Sequence, residues 1–268
     1  MTRRYTLAPL QAMHFTPPQL VALSADVGAW GCGVRLLPVT PGAAFYPLHQ
    51  DAPMLRETLA CMADRGVTMF DLELVRMVPG LRVDELLPVF DVGQRLGARV
   101  LNVIGSDPEP QRLVDTYCAL CDAAERFGLS CDVEPVPWAP VATVRDARRL
   151  LEAADRPNMG ILIDALHWSR SDSSLDDVRT LPRHWLHYAQ ICDGRLPAPP
   201  THEALIHDAR HERLLPGEGD IDLAGLFAAL PADVPVCVEV PNDGRAAQIG
   251  HAAWASASVE ASRALLER

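Results

Sequence analysis

The sequence predicts an α/β protein, a single (β/α)8 barrel of the TIM type spanning residues 1–268. Three observations carry this. The length of 268 residues suits one such barrel, whose usual size is about 250 residues. Short apolar runs alternate with longer segments of helical period. Glu73, Ile104, Glu134 and Asp164, each at the end of an apolar run, fall 31, 30 and 30 residues apart, the length of one strand–helix unit repeated.

Eight strands are expected, at 5–10, 33–38, 68–74, 99–104, 130–135, 160–165, 186–193 and 236–241. Several are continuously apolar, as parallel strands buried on both faces must be. Between them, Val83, Leu86, Leu87 and Phe90, and then Leu113, Val114, Tyr117, Cys118, Cys121 and Ala124, repeat at i, i+3, i+4 and predict helices. Alternation alone also fits a doubly wound sheet; eight units without a linker favour closure. Two connections interrupt the rhythm, residues 38–53 and 194–222, and neither shows helical period. Both follow strands, so both belong at the C-terminal rim, where long loops serve as lids or binding loops. Gly217-Glu-Gly219 is too short for a phosphate cradle and reads as the turn before a helix capped near Asp222.

Composition narrows the function. With 35 acidic against 24 basic residues and a formal charge of −11, the chain lacks the basic face that nucleic acid requires. No apolar run approaches the roughly 18 residues that span a bilayer, and no secretory leader is evident, so a cytoplasmic protein is expected. A homo-oligomer is compatible with this composition. The seven cysteines are scattered, and Cys118-Ala-Leu-Cys121 falls within a predicted helix without the second pair a zinc site needs; reduced structural thiols are expected.

The chemistry lies at the ends of the last four strands, which read Cys131-Asp-Val-Glu134, Ile161-Leu-Ile-Asp164, His187-Tyr-Ala-Gln190 and Val236-Cys-Val-Glu239. A charge at the end of an apolar strand is costly unless compensated. Three acids aimed into one barrel mouth would repel and raise each other's pKa, and one divalent cation removes the conflict. The oxygen-rich set Glu134, Asp164, Gln190 and Glu239 favours Mg, Mn or a similar hard ion, with Zn or Co as alternatives. His167, three residues past Asp164, is a candidate proton shuttle or donor to a substrate oxygen. Glu73, Arg210 (with His207 and His211 beside it), Trp30 and Trp138 are candidate substrate contacts: Arg210 for a phosphate or carboxylate, the tryptophans for stacking on a sugar face. Each has a structural counterpart, as a solvated loop charge or a packing aromatic.

The pattern resembles the xylose-isomerase-like sugar phosphate isomerase/epimerase superfamily, the AP endonuclease family 2 barrels. The marks are Glu134, Asp164 with His167, Gln190 with Asp193, Leu215-Pro-Gly-Glu-Gly-Asp-Ile-Asp222, and Glu239. The resemblance implies one metal ion held by the four strand-end residues, with Glu134 and Glu239 as an acid/base pair. The expected activity is that of a metal-dependent isomerase or epimerase of a small keto sugar, sugar phosphate or sugar acid, a small polyhydroxy carbonyl substrate. Many epimerases of the superfamily have His where this chain has Gln190, an amide that ligates a metal but carries no proton. Gln at this place also resembles the dehydratases acting on compounds such as 3-dehydroshikimate, so a lyase is the alternative activity. The superfamily's DNA-repair nucleases need more His and acidic ligands than are present; a non-catalytic metal-binding barrel is the remaining alternative.

Overall fold

The computed structural model describes residues 3–267. Its strands are β1 (Tyr5–Leu7), β2 (Gly31–Arg35), β3 (Thr68–Met77), β4 (Val100–Gly105), β5 (Ser130–Val133), β6 (Met159–Ile161), β7 (Ile163–Asp164), β8 (Ala189–Ile191) and β9 (Val236–Val238). The helices are α1 (Pro17–Asp26), α2 (Ala52–Arg65), α3 (Leu87–Leu96), α4 (Pro110–Glu125), α5 (Val144–Ala154), α6 (Ala165–Arg170), α7 (Leu175–Arg179), α8 (His202–His211), α9 (Leu223–Ala229), α10 (Asp243–Ile249) and α11 (His251–Leu266).

All pairings are parallel, in the order β6-β5-β4-β3-β2-β1-β9-β8-β7. The ring closes through the chain itself, because β6 and β7 are two halves of the expected sixth strand, separated only by Leu162. At that irregular residue the backbone N–H still donates to Val133 O at 2.9 Å. The result is the anticipated (β/α)8 barrel. Expected limits ran past the observed C-terminal ends by one to three residues in six strands, because the apolar pattern continues into the rim where pairing has stopped, whereas β3 and β4 pair three residues and one residue further than expected.

Apolar residues between the strands and the outer helices form one continuous core. In α5, Val144, Ala147, Leu150, Leu151 and Ala154 supply the buried face at helical spacing. Its start is fixed by a reciprocal cap between Thr143 and Asp146, a device that contributes about 1 kcal/mol. Inside the barrel a small apolar plug of Ala8, Phe70, Val100, Leu162, Tyr188 and Cys237 occupies the lower part. Carboxylates begin beside this plug. A Cβ at Gly33 would meet the Asp71 carboxylate at 2.6 Å, so this β2 position must lack a side chain for Asp71 to point inward.

The two long connections differ. Residues 38–51 carry no helix before Asp51 caps α2, as expected. The 194–222 segment was expected without regular structure but contains α8, whose polar sequence His202-Glu-Ala-Leu-Ile-His-Asp-Ala-Arg-His211 buries only Leu205 and Ala209. Asp193 fastens the rest: its carboxylate accepts from the amides of Gly194, Gly217, Gly219 and Ile221 at 2.8–3.2 Å. The 217–219 stretch is thus a turn, and Asp222 caps α9 through Gly225 N at 2.8 Å. All seven cysteines are free, with Cys118 and Cys121 inside α4.

Candidate metal centre and the cavity above it

Parallel register brings the strand-end residues together. Asp164 lies beside Gln190 across β7 and β8, and Glu134 and Glu239 directly follow β5 and β9, their amides donating to Val103 O and Ile191 O. Glu134, Asp164 and Glu239 each offer an oxygen within 4.8 Å of the others, and all three are buried. Gln190 joins them, its Nε2 donating to Glu239 Oε1 at 3.2 Å while its buried Oε1 has no partner. Asn102, on β4, donates to Glu134 Oε2 at 2.9 Å.

Asn102 and one charged residue at this centre escaped sequence reasoning. Arg213, 1% exposed, donates to Asp164 Oδ2 at 2.7 Å and pairs with Glu239 Oε2 at 2.9 Å. Its Nε donates to Ala209 O at 2.7 Å. Paired backbone on both sides (Asp193 with Leu214, Glu212 with Asn242) fixes the segment that carries it. The expectation that repulsion raises all three acids therefore needs correction. Burial pushes Asp164 up, but Arg213 foremost, and then His167, outweigh it and hold this carboxyl below its ordinary range. Burial, reinforced by Asp164, raises Glu134 to about 8 despite the Asn102 bond. Burial likewise drives Glu239 well up, with Arg213 opposing and Glu73, Asp164 and Glu134 reinforcing.

Ionised together, the three carboxyls would leave two negative charges in a buried space after Arg213 is counted, a cost that keeps Glu134 and Glu239 raised, and beside them lies an amide oxygen lacking a donor. That donor set fits a single divalent metal ion.

His167, on α6, is buried, with Nε2 3.7 Å from Glu134 Oε1 and Nδ1 unpartnered. Burial lowers its pKa to about 4, so it is neutral near pH 7. Trp138 stands edge-on to it, ring centroids 5.0 Å apart. Glu73 belongs to the same buried ring: Arg35 donates to its Oε2 at 2.7 Å and its Oε1 is unpartnered. Asp71, one layer down, has neither oxygen paired, and burial together with Glu73, Asp132 and Glu134 holds it well above the ordinary range.

Above lies an open cavity of about 500 Å³ at the C-terminal rim. The metal-centre residues are not part of its wall; Gln11, Arg35 and Trp138 are. These three touch the centre from the other side, Gln11 by accepting from Val240 N next to Glu239, Arg35 through Glu73, and Trp138 through His167. Arg210, from α8, lines the cavity, as do Val39, Thr40 and Ala43 of the 38–51 connection. Its neighbour His211 is tied to Asp243 at 2.8 Å, and His207 to Glu212 at 3.3 Å. Trp30 lies elsewhere. It sits just before β2 at the N-terminal end of the barrel, under the Arg4 guanidinium and in a cleft with Arg99 and His187. A substrate contact at the C-terminal mouth is therefore withdrawn for Trp30.

Comparison with known proteins gives the family and the fold. Residues 32–265 match the family model described as xylose isomerase-like TIM barrel. A 3-dehydroshikimate dehydratase of Pseudomonas aeruginosa is 30% identical over 213 residues, covering 74% of this chain and 33% of the dehydratase. The chain thus spans about a third of that relative's length. An inosose isomerase of Bacillus licheniformis is 30% identical over 120 residues, 44% of this chain and 41% of the isomerase. Among solved structures, one described as IolI protein with a bound zinc atom superposes with a TM-score of 0.78 at 16% identity, over 98% of each chain, a likeness of fold.

Proposed function

As the chain belongs to the xylose isomerase-like TIM barrel family, we propose that it is an enzyme that removes a proton from the carbon beside a ketone of a small polyhydroxy compound, at a centre built for one divalent metal ion. The observation that carries this is the buried set Glu134, Asp164 and Glu239, with Gln190 Oε1 unpartnered and Arg213 as its counter-charge. Those four oxygen-donor residues would hold the ion; Mg or Mn suits them, and Zn and Co are compatible. Bound there, such an ion supplies Lewis acidity toward a substrate carbonyl and its neighbouring oxygen. The sequence contains no lysine, so no lysine Schiff base of this chain serves as the electron sink instead.

Glu134 and Glu239 are the acid/base candidates, because both belong to the buried carboxylate set and burial raises both carboxyls above their ordinary range. His167, neutral and with a free ring nitrogen, is placed to donate to a substrate oxygen. Arg213 holds two of the carboxylates in position, and Glu73 and Trp138 lie against the same space.

After proton removal, expulsion of a β-hydroxyl gives dehydration, and reprotonation gives epimerisation or isomerisation. Dehydration of a hydroxylated keto acid such as 3-dehydroshikimate is the reading best supported, by Gln190, which carries no titratable proton, and by the 30% identical dehydratase. Isomerisation or epimerisation of a keto sugar is the second reading, supported by the inosose isomerase relative.

The test is incubation of Mn²⁺-loaded protein with 3-dehydroshikimate, following the absorbance of the aromatic diol formed by loss of water, and with keto sugars in D₂O, following α-carbon exchange. Glu239→Gln should lower turnover by about 10²–10⁴ while far-UV circular dichroism is unchanged. Absence of both dehydration and exchange would refute the proposal; exchange alone would favour the second reading.

A further inference from the structure

We propose that Arg35, Arg76 and Arg210 form an anion subsite in the cavity wall, so that the substrate of the centre below is a small organic anion bearing a carboxylate or a phosphate and not a neutral sugar. The inference rests on the reading that substrate enters through this cavity.

The three guanidinium groups come from separate elements, the end of β2, the outer part of β3 and the last turn of α8, and all line the same 500 Å³ space. Their bonding is unfinished. Arg35 is 7% exposed and anchored by Glu73 through one nitrogen, while its buried Nε has no partner. Arg76 makes a single hydrogen bond, from Nε to Ser106 Oγ at 3.3 Å. The Arg210 side chain makes no hydrogen bond or ion pair among the described residues. Burial lowers its pKa, and the charges of Arg35 and Arg76 push the same way, so the three are close enough to repel.

Arginines elsewhere in this acidic chain are commonly matched: Arg65 with Asp26, Arg112 with Asp107, Arg156 with Asp122 and Arg170 with Asp208. The cavity's own acid, Asp243, is engaged by His211. Three arginines lining one open cavity, with Arg210 unpaired and Arg35 and Arg76 each only partly bonded, mark a place for an anion from outside the chain. Guanidinium forks suit a planar carboxylate or a phosphate. The apolar part of the wall, Leu74, Ile104 and Trp138, can take the carbon skeleton.

The test uses metal-loaded protein and calorimetric titration with 3,4-dihydroxybenzoate and with catechol, which share a vicinal diol and differ in the carboxylate. The acid should bind at least about tenfold more tightly than catechol, and Arg76→Ala and Arg210→Ala should each remove most of that difference, leaving catechol affinity in place. Arg210→Lys should restore part of it. Equal affinity for the two probes in the wild type, or arginine variants that weaken both alike, would overturn the proposal. Competition by inorganic phosphate stronger than by acetate assigns the subsite to a phosphate ester, and weaker competition assigns it to a carboxylic acid; either upholds an anion subsite. The two proposals fail separately. Charge-selective binding without turnover of 3-dehydroshikimate keeps the subsite and removes the dehydratase reading. Turnover with kcat/KM unaltered in Arg210→Ala does the reverse.

Discussion

Arg213→Met isolates the charge balance of the centre, because methionine keeps much of the length and removes the guanidinium. The side chain is 1% exposed and pairs with Asp164 at 2.7 Å and Glu239 at 2.9 Å. Removing one partner of a buried ion pair costs roughly 3–5 kcal/mol, since the remaining charges stay buried and uncompensated. At about 2–4 °C per kcal/mol for a domain of this size, the metal-free variant should melt some 6–20 °C below wild type. A divalent ion at 100 times its dissociation constant restores about 2.7 kcal/mol. The variant, with one more uncompensated negative charge, should gain more from Mn²⁺ than wild type does. Calorimetric melts in EDTA and across a Mn²⁺ titration read both effects. A metal-free variant melting within about 2 °C of wild type, or a smaller Mn²⁺ stabilisation than in wild type, would refute Arg213 as the counter-ion of this centre.

Two further outcomes concern the metal content of the centre and the lower end of the barrel. Elemental analysis of protein reconstituted with Mn²⁺ and freed of excess should find about one ion per chain, reduced by Asp164→Ala; no retained metal in the wild type would remove the metal centre. At the lower end of the barrel, burial pushes His187 down, but Asp132, bonded at 2.8 Å, outweighs it and raises the folded pKa. That contribution to stability is complete below the unfolded value of about 6.5 and lost as pH rises through the raised folded value. Melting temperatures between pH 6 and 9 should therefore fall less steeply in His187→Gln than in wild type, and identical slopes would contradict the assignment.

The fold was legible because continuous apolar runs and a 30-residue repeat are consequences of parallel strands buried on both faces. Glu134, Asp164, Gln190 and Glu239 were legible for a related reason: a polar residue ending an apolar run stands at the barrel mouth whatever the loops do. Arg213 was not. Its segment, His211-Glu-Arg-Leu-Leu215, reads as solvated, and burial of one charge among its neighbours depends on backbone pairing with β9's exit, which local pattern does not encode. The only available sign was its place two residues before Leu215-Pro-Gly-Glu-Gly. Helix α8 was hidden similarly, since two buried residues in ten leave almost no amphipathic period. Asp71 and Glu73 could have been paired from their spacing of two on β3, which sets both inside the barrel. Trp30 could have been placed from chain direction alone, for a residue preceding a strand lies at the opposite end from its rim.

The carboxylate of Asp193, satisfied by four backbone amides, divides the 194–222 connection into regions of unequal tolerance. Downstream, the turn and Arg213 are committed to the charge balance of the centre. Upstream, residues 195–201 are mostly exposed, with Leu196 N reaching only to Asp220. Lengthening a loop whose ends are already fixed is inexpensive, about 0.6 kcal/mol per doubling. Insertions there would alter the lead into α8 while leaving the carboxylate cluster as it is. Added length is therefore tolerated best at 195–201, and that stretch can vary without disturbing the buried carboxylates or Arg213.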